Sequence, residues 1–215
     1  MTNNKNIMTD NNPPEFWEAA FTDKKEMWGM APARSALLAR DLFVANGVSN
    51  VLIPGIGYGR NAQLFRESGM QVTGIEISPS AIDMAHQHYG PELKIYRGSV
   101  TDMPFDQDLY EGIFCYGLIH LLDSTARAKL VRDCYNQLAP GGSMIFTMIS
   151  KTAPTYGQGR QIGPDWFEQF GGVTMFFYDR ESIQAEFGAA GLQSITEVQE
   201  NLPFFLIQCR KEVQD

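Results

Sequence analysis

The chain has 215 residues, of which 44% are hydrophobic and 20% are charged, values that are typical of a globular protein and exclude global disorder. This length predicts one large domain with ample material for a core. With 17 Lys and Arg against 25 Asp and Glu, the formal net charge is −8 at pH 7. This balance argues against nucleic acid as a partner, because no excess of positive charge would release counterions from phosphates.

The sequence also argues against a membrane partner and a secretory route. The longest apolar runs, such as Met144 to Ile149, are too short to span a bilayer, and the polar N-terminus has no apolar region typical of a signal peptide. Cys115, Cys134 and Cys209 are odd in number and widely spaced, which predicts neither a disulfide framework nor a zinc site. We therefore expect a cytoplasmic protein without a metal.

The N-terminal part of the predicted domain is helical and aromatic. Residues 1–14 are Asn-rich and predict a flexible tail, and residues 15–215 are expected to form a single domain. Within it, residues 15–47 predict a helical cap that contains Trp28. Its second helix has a predicted inner face and a stop at Gly47. The residues of that face are Leu38, Leu42 and Ala45.

Beyond Gly47, short apolar runs alternate with amphipathic helical patterns. Ser78, Ser124 and Asp179 each stand where a helix N-cap is expected. The predicted strands are Val51 to Ile53, Val72 to Ile77, Leu93 to Arg97, Gly112 to Tyr116, Ser143 to Ile149, Ser194 to Val198 and Pro203 to Arg210. Such alternation indicates βαβ units on a parallel sheet. Because only a few residues join the last two strands, the final strand is expected to run antiparallel.

One segment, residues 150–178, interrupts this alternation. It is rich in Gly, Pro, Gln and aromatic residues and is longer than a simple connection, which predicts a lid or substrate-binding insertion. Its aromatic side chains either cover a small acceptor or form core beneath a loop. Arg160 and Trp166 are the predicted substrate contacts, with Arg160 available for an anionic group.

A glycine-rich turn follows the first predicted strand. Gly55, Gly57 and Gly59 allow a sharp turn and a close approach of the backbone to a ligand at a helix N-terminus. Glu76 stands 17 residues after Gly59, at the end of the next strand, where a carboxylate accepts hydrogen bonds from ribose hydroxyls. A dinucleotide-binding oxidoreductase shares this logic, but its third glycine is expected at the position of Arg60.

These residues resemble those of Rossmann-like (class I) S-adenosylmethionine-dependent methyltransferases. The resemblance rests on the segments Val51 to Asn61, Gly74 to Ser78, Gly98 to Phe105, Tyr110 to Leu122 and Leu138 to Gly142, in the order of that family. It implies a doubly wound seven-stranded α/β sheet, mostly parallel with an antiparallel last strand and helices on both faces. It also implies S-adenosylmethionine as cofactor. The cofactor-binding positions are then Trp28, Gly55, Gly57, Tyr58, Gly59, Asn61, Glu76, Ile77, Ser99, Val100 and Tyr116.

Two departures from the family pattern concern the cofactor. Ile53 occupies the place of an acidic residue that orients the methionine end, and Ser99 occupies the place of an Asp beside adenine. Pro54 and the Trp-containing N-terminal segment are similar to the branch of thiopurine and tellurite-resistance methyltransferases. In that branch the N-terminal segment folds over the cofactor, which makes Trp28 a candidate for packing near the sulfonium, with core packing alone as the alternative.

The resemblance implies transfer of a methyl group to a small-molecule acceptor, through sulfur, nitrogen, oxygen or an oxyanion. His120, just beyond the fourth strand, is the candidate general base, with packing or a hydrogen bond to the neighbouring turn as the alternative. An NAD-type oxidoreductase and a non-catalytic S-adenosylmethionine-binding protein are the alternative functions. The sequence leaves both a monomer and a homodimer open.

Overall fold

The computed structural model describes residues 14–213, so the predicted tail lies outside the described residues except for its last position. The six helices of this part are α1 (Pro14–Lys24), α2 (Arg34–Ala45), α3 (Ala62–Glu67), α4 (Pro79–Tyr89), α5 (Ser124–Gln137) and α6 (Arg180–Phe187). The strands are β1 (Asn50–Pro54), β2 (Gln71–Glu76), β3 (Lys94–Arg97), β4 (Tyr110–Cys115), β5 (Leu138–Ile149), β6 (Arg160–Gly163), β7 (Trp166–Gln169), β8 (Val173–Phe176), β9 (Leu192–Gln199) and β10 (Pro203–Arg210).

Seven strands form one sheet in the order β3-β2-β1-β4-β5-β10-β9. The pairs from β3 to β5 are parallel, whereas β10 is antiparallel to both β5 and β9. The predicted α/β architecture and the antiparallel last strand are therefore confirmed. The strand order reverses between β1 and β4, and in open α/β sheets the crevice at such a reversal is where ligands bind.

Helices cover both faces of the sheet because its strands are apolar on both sides. On one face, Phe43 of α2 and Phe65 of α3 pack with Val51, and on the other, Leu130 of α5 and Phe187 of α6 join the cluster of Leu52. In the described residues, no helix combines the length and apolar character needed to cross a membrane.

The predicted helix starts hold at two of three places. The Ser78 side chain accepts a hydrogen bond from Ala81 N, and Asp179 forms a capping box with Ser182. At α5 the prediction is wrong by one residue: Asp123 is the N-cap and accepts from Ala126 N, while Ser124 is already helical. A carboxylate and a hydroxyl in neighbouring positions are both good caps, so the pattern alone does not separate them.

The predicted inner face of α2 is wrong at two of its three positions, because only Leu42 packs against the core. Leu38 is 42% exposed and Ala45 is exposed, whereas the helix buries a different set: Ser35, Ala36, Ala39 and Phe43. Small residues on this face let the helix lie close to the sheet, and Phe43 fills the remaining space. Side-chain volume rather than apolar character decides the orientation here.

The segment from residue 150 to residue 178 contains a second sheet, in which β6, β7 and β8 pair antiparallel. Lys151 ties its ends together, with Nζ at 2.8 Å from Asp165 Oδ2 and 2.5 Å from Asp179 Oδ2. The apolar side of this small sheet packs onto the carboxyl end of β5 and onto β10. Its contacts include Phe167, Met175, Ile149 and Phe204. The small sheet therefore stands over the edge of the main sheet where the crevice opens.

Candidate active site

A cavity of about 350 Å³ opens at the carboxyl ends of β1, β2 and β4. The glycine turn forms one side of it, and the small sheet of the insertion forms another. Most of the predicted site residues, scattered over almost 100 positions of sequence, meet here. The predicted residues that line the cavity are Trp28, Gly55, Gly57, Tyr58, Asn61, Glu76, Ile77, Ser99, Val100, Tyr116 and His120.

The glycine turn serves two different purposes. Gly55, Gly57 and Gly59 all have positive φ, at 70°, 57° and 82°. The space beyond Gly57 is open, with only the Phe21 ring at 3.8 Å from the place of a Cβ, so the backbone is accessible to a ligand. A Cβ at Gly59 would lie 2.9 Å from the Tyr89 ring, and Gly59 is not part of the cavity lining. Its role is to let the turn pack on α4.

Glu76 is the centre of the polar half of the site. Its Oε2 accepts from Gly57 N at 2.8 Å, and its Oε1 accepts from Ile77 N and Ser78 N at 2.9 Å each. Burial raises the pKa of this carboxyl, and the three backbone donors act in the opposite direction. A carboxylate offers about four acceptor sites, so roughly one remains for a ligand hydroxyl. The expectation that Glu76 accepts from both ribose hydroxyls would require one backbone bond to give way.

The segment 25–33, which we name the strap, is held over the glycine turn by side chains of that turn. Tyr58 Oη donates to Gly29 O at 2.7 Å and accepts from Trp28 N at 3.3 Å. The Trp28 ring stacks on the Tyr58 ring, with centroids 6.3 Å apart and planes 12° from parallel. Trp28 is 44% exposed, so it lies at the rim of the cavity rather than in the core.

Two further contacts fix the strap. Arg60 Nη1 donates to Trp28 O at 2.8 Å, and its guanidinium lies over the Tyr116 ring, 5.4 Å from the centroid. Asn61 Oδ1 accepts from Ala33 N at 2.9 Å. Arg60 and Asn61 also line the cavity, so the residues that anchor the strap face the ligand space.

At the two positions that depart from the family pattern, Ile53 and Ser99, the side chains interact mainly with the rest of the protein. Ile53 is buried in the core beneath the glycine turn. The Ser99 hydroxyl accepts from Thr101 N at 3.2 Å and lies 2.7 Å from Thr101 Oγ1. Ser99 lines the cavity but its hydroxyl caps the following turn, which leaves it limited capacity for adenine.

His120 is buried at the bottom of the cavity, with 5% of its surface exposed. Its Nδ1 is buried and has no hydrogen-bond partner within residues 14–213. Its ring meets the Phe204 ring edge-on, with centroids 5.6 Å apart. Desolvation lowers the pKa of His120 to about 3, so the imidazole is neutral at physiological pH. The side chain is a neutral hydrogen-bonding group with unused capacity.

The structure places the two predicted substrate residues outside the cavity lining. Arg160 is exposed on β6 and pairs with Glu168 of β7, and Trp166 lies on β7 beside Phe176. Other residues of the same insertion line the cavity: Phe170, Val173 and Met175. In a hairpin only alternate side chains reach a given face, and the turn of this insertion has no pattern that reveals its register.

Part of the cavity wall consists of residues that the sequence patterns did not predict. The missed residues include Trp17, Phe21, Leu118, Asn201, Leu202 and Phe204. Phe204 lies in β10, a strand that the sequence predicts, but the strand prediction does not show that its first residues reach the cavity. Asn201 and Leu202 lie in the turn between β9 and β10, which carries no recognisable signal.

Residues 51–142 match the family model described as a methyltransferase domain. The segment from β1 to the first part of β5 therefore resembles a methyltransferase domain. The match covers the glycine turn, Glu76, Ser99 and His120, and thus nearly all of the predicted cofactor side of the cavity.

The methyltransferase is similar to several known proteins. It is 26% identical to the ubiquinone biosynthesis O-methyltransferase of Xanthomonas euvesicatoria pv. vesicatoria over 145 residues, which cover 65% of this chain and 59% of that protein. It is 24% identical to thiocyanate methyltransferase 1 of Arabidopsis thaliana over 157 residues, with 71% and 69% covered. The chain thus spans about 59% of the length of the ubiquinone-pathway relatives it matches.

Among solved structures, the fold is similar to that of 1,6-didemethyltoxoflavin-N1-methyltransferase from Burkholderia thailandensis. The TM-score is 0.72 at 17% identity, with 93% of this chain and 87% of the other covered. An S-adenosylmethionine-dependent methyltransferase from Clostridium acetobutylicum has a TM-score of 0.69 at 13% identity, with 93% and 99% covered. These similarities confirm the Rossmann-like fold across almost the whole chain.

Proposed function

We propose that this protein transfers a methyl group from S-adenosylmethionine to a small-molecule acceptor. The observation that carries the proposal is that one cavity has a polar end and an apolar end. A buried carboxylate and an open glycine turn lie at one end, and an apolar wall from the insertion lies at the other. The first suits a ribose, and the second suits an acceptor that reacts away from water.

The residues present fit this cofactor. Glu76 has one acceptor site left for a ribose hydroxyl, and the open backbone at Gly57 gives room for the chain beyond it. Because position 53 carries Ile instead of an acidic residue, Arg60 and Asn61 are the polar lining groups available to the methionine part of the cofactor. Trp28, at the rim, offers an aromatic face to a sulfonium.

Within this proposal the chain's own residues position the reactants. Bound S-adenosylmethionine supplies an electrophilic methyl group on a positively charged sulfur. Orientation in a closed pocket supplies much of the rate in such reactions, with effective molarities of ~10⁵ M or more in well-ordered systems. His120 has too low a pKa to store a proton at neutral pH, so we assign it a hydrogen bond to the acceptor rather than the predicted role of free-standing base.

The acceptor atom is not set by the fold. Of the similar proteins above, one is named an O-methyltransferase, one an N1-methyltransferase and one a thiocyanate methyltransferase. Likeness to the thiopurine and tellurite-resistance branch stays a prediction. We further propose that the protein acts in the cytoplasm, without nucleic acid or membrane, as a monomer or homodimer. The net charge of −8 and three buried free cysteines support these assignments.

Calorimetric titration with S-adenosylmethionine and S-adenosylhomocysteine tests the proposal, using Gly57→Trp as the disabling variant. A Trp at this position would fill the ligand space, so binding should fall at least 100-fold. Gly69→Trp is the matched control, because Gly69 also has positive φ and open space but lies outside the cavity lining. Its affinity should stay within twofold of the parent protein.

The same titration separates the alternatives. A folded parent protein that binds NAD⁺ tightly and neither sulfur compound would establish an oxidoreductase. Release of S-adenosylhomocysteine should then be followed across thiol, amine, hydroxyl and oxyanion acceptors. Cofactor binding without release of S-adenosylhomocysteine from any acceptor of the panel would favour a non-catalytic binding protein.

A further inference from the structure

The half of the cavity that faces away from the glycine turn, which we name the acceptor end, is apolar. The insertion contributes Val173 and Met175, β5 contributes Ile149, and the final hairpin contributes Leu202 and Phe204. Ile149, Met175 and Phe204 are each less than 9% exposed and belong to one packed cluster. The wall is therefore a preformed surface of the folded protein.

No charged side chain lines the acceptor end in the described part of the chain. The charged lining residues are Arg60 and Glu76, and both stand at the glycine turn. Arg60 is engaged with Trp28 O and the Tyr116 ring, and Glu76 with three backbone amides. Transfer of an ion into an apolar site without a partner is strongly unfavourable. An anionic acceptor would find no counter-charge at this end.

His120 is the polar side chain that this wall leaves without a protein partner. It is more than nine-tenths buried, it lines the cavity, and its Nδ1 has no hydrogen bond to any residue from 14 to 213. Nδ1 is enclosed by protein atoms, so the nitrogen of this ring that is left to a ligand in the cavity is Nε2. A neutral imidazole bonds equally well to an uncharged donor or acceptor group.

Aromatic rings make up much of the remaining surface. The rings of Tyr116 and Phe204 are parallel within 5°, with centroids 6.3 Å apart, and both line the cavity. Phe170, at the turn between β7 and β8, lines the mouth although it is 68% exposed. Flat apolar walls of this kind suit a ring, and the Met175 thioether adds a favourable contact to ring edges.

We propose that the acceptor of this methyltransferase is an uncharged molecule with an aromatic ring, bound at the acceptor end through a hydrogen bond to His120. The proposal rests on the proposed function and names the substrate class of that site. It replaces the expectation of an anionic acceptor held by Arg160.

Binding to the protein saturated with S-adenosylhomocysteine tests this without turnover. The probes are three uncharged rings and their carboxylates: 2-naphthol with 6-hydroxy-2-naphthoate, quinoline with quinoline-6-carboxylate, and indole with indole-5-carboxylate. Decahydro-2-naphthol is the uncharged counterpart without aromatic rings. At least one uncharged ring should bind at least tenfold more tightly than its carboxylate, and 2-naphthol should exceed its saturated counterpart.

Two variants sharpen the measurement. Val173→Lys places a cation at the acceptor end and should reverse the preference in favour of the carboxylates. Gln161→Lys adds the same charge to an exposed position of the insertion outside the lining and should change nothing. His120→Phe keeps a ring against Phe204 but removes both nitrogens. It should weaken the best uncharged probe about 3- to 10-fold, the range for one hydrogen bond, with S-adenosylhomocysteine affinity unchanged.

The outcomes are distinct. Failure of the parent protein to bind S-adenosylhomocysteine overturns the proposed function. Two results would overturn only the proposal about the acceptor. In both, S-adenosylhomocysteine binds, but either the carboxylates bind as tightly as the uncharged rings or more tightly, or none of the three uncharged rings binds. Methylation of thiocyanate or iodide in preference to every ring compound would do the same.

Discussion

The two ends of the cavity are built by different means. At the glycine turn, the ligand surface is backbone and one carboxylate, placed by strands β1 and β2 and fixed by hydrogen bonds of 2.8 to 2.9 Å. At the acceptor end, the surface is side chains from an insertion and a hairpin, placed by apolar packing. The first surface belongs to the main sheet itself, and the second belongs to segments that are attached to that sheet.

This difference explains how one scaffold serves many reactions. A cofactor that never changes is met by the strand ends, whose geometry follows from the sheet itself. The acceptor, which differs between enzymes, is met by segments that change without disturbing the sheet. In this chain the acceptor end is marked by the buried His120 and the uncharged wall.

The largest effect should come from the cofactor end. Glu76→Ala removes the acceptor of three backbone amides and the proposed contact to ribose, and hydrogen bonds to a charged group contribute about 1.5–3 kcal/mol each. We expect at least a 100-fold loss in S-adenosylhomocysteine affinity by calorimetry. Glu67→Ala, at an exposed position of α3, is the control and should retain full affinity. Equal losses of affinity in both variants would show that Glu76 is not part of the cofactor site.

His120 gives a test at the other end that needs no ligand. The unfolded chain binds a proton on this residue below about pH 6.5, and the folded protein only near pH 3. Its contribution to the free energy of unfolding is therefore complete above pH 6.5 and declines as the pH falls. The decline has a slope on the order of 1 kcal/mol per pH unit.

In His120→Phe this loss should vanish, and stability at pH 7 should be equal or higher because no unpaired nitrogen remains buried. Urea unfolding of both proteins between pH 7 and pH 4 measures the difference. The same acid sensitivity in both would mean that the His120 imidazole is not desolvated.

A smaller effect is expected at the strap. Tyr58→Phe keeps the ring and removes the two hydrogen bonds to the backbone of residues 28 and 29, which contribute about 1 kcal/mol each. S-adenosylhomocysteine affinity should fall a few-fold and the melting temperature should drop slightly. Tyr135→Phe removes a hydroxyl from α5, far from the strap, and serves as the comparison. If the two variants behave alike, the strap does not contribute to cofactor binding.

The smallest effect should be at Arg160. This side chain is exposed and paired with Glu168 of the same small sheet, and exposed ion pairs contribute about 0–1 kcal/mol. Arg160→Ala should change acceptor KM less than twofold. A tenfold rise in KM for an anionic acceptor would restore the sequence-based expectation and contradict the uncharged acceptor end.

The sequence predicts the cofactor end well because local rules determine it. A positive φ requires glycine at Gly55 and Gly57, and the end of a parallel strand places Glu76 beside them. The acceptor end depends on which face of a short hairpin turns inward and on the position of Phe204 at the start of β10. Neither feature produces a periodic pattern in the sequence. Residue type alone therefore predicts Arg160 and Trp166 as substrate contacts, whereas Val173 and Met175 of the same insertion line the cavity.

The structure of the protein crystallised with S-adenosylhomocysteine tests the division of the cavity most directly. We predict a ribose hydroxyl within hydrogen-bond distance of Glu76 and the cofactor sulfur facing the space bounded by His120, Met175 and Phe204. A ribose bound away from Glu76, or a cofactor whose amino acid part fills the acceptor end, would contradict the account.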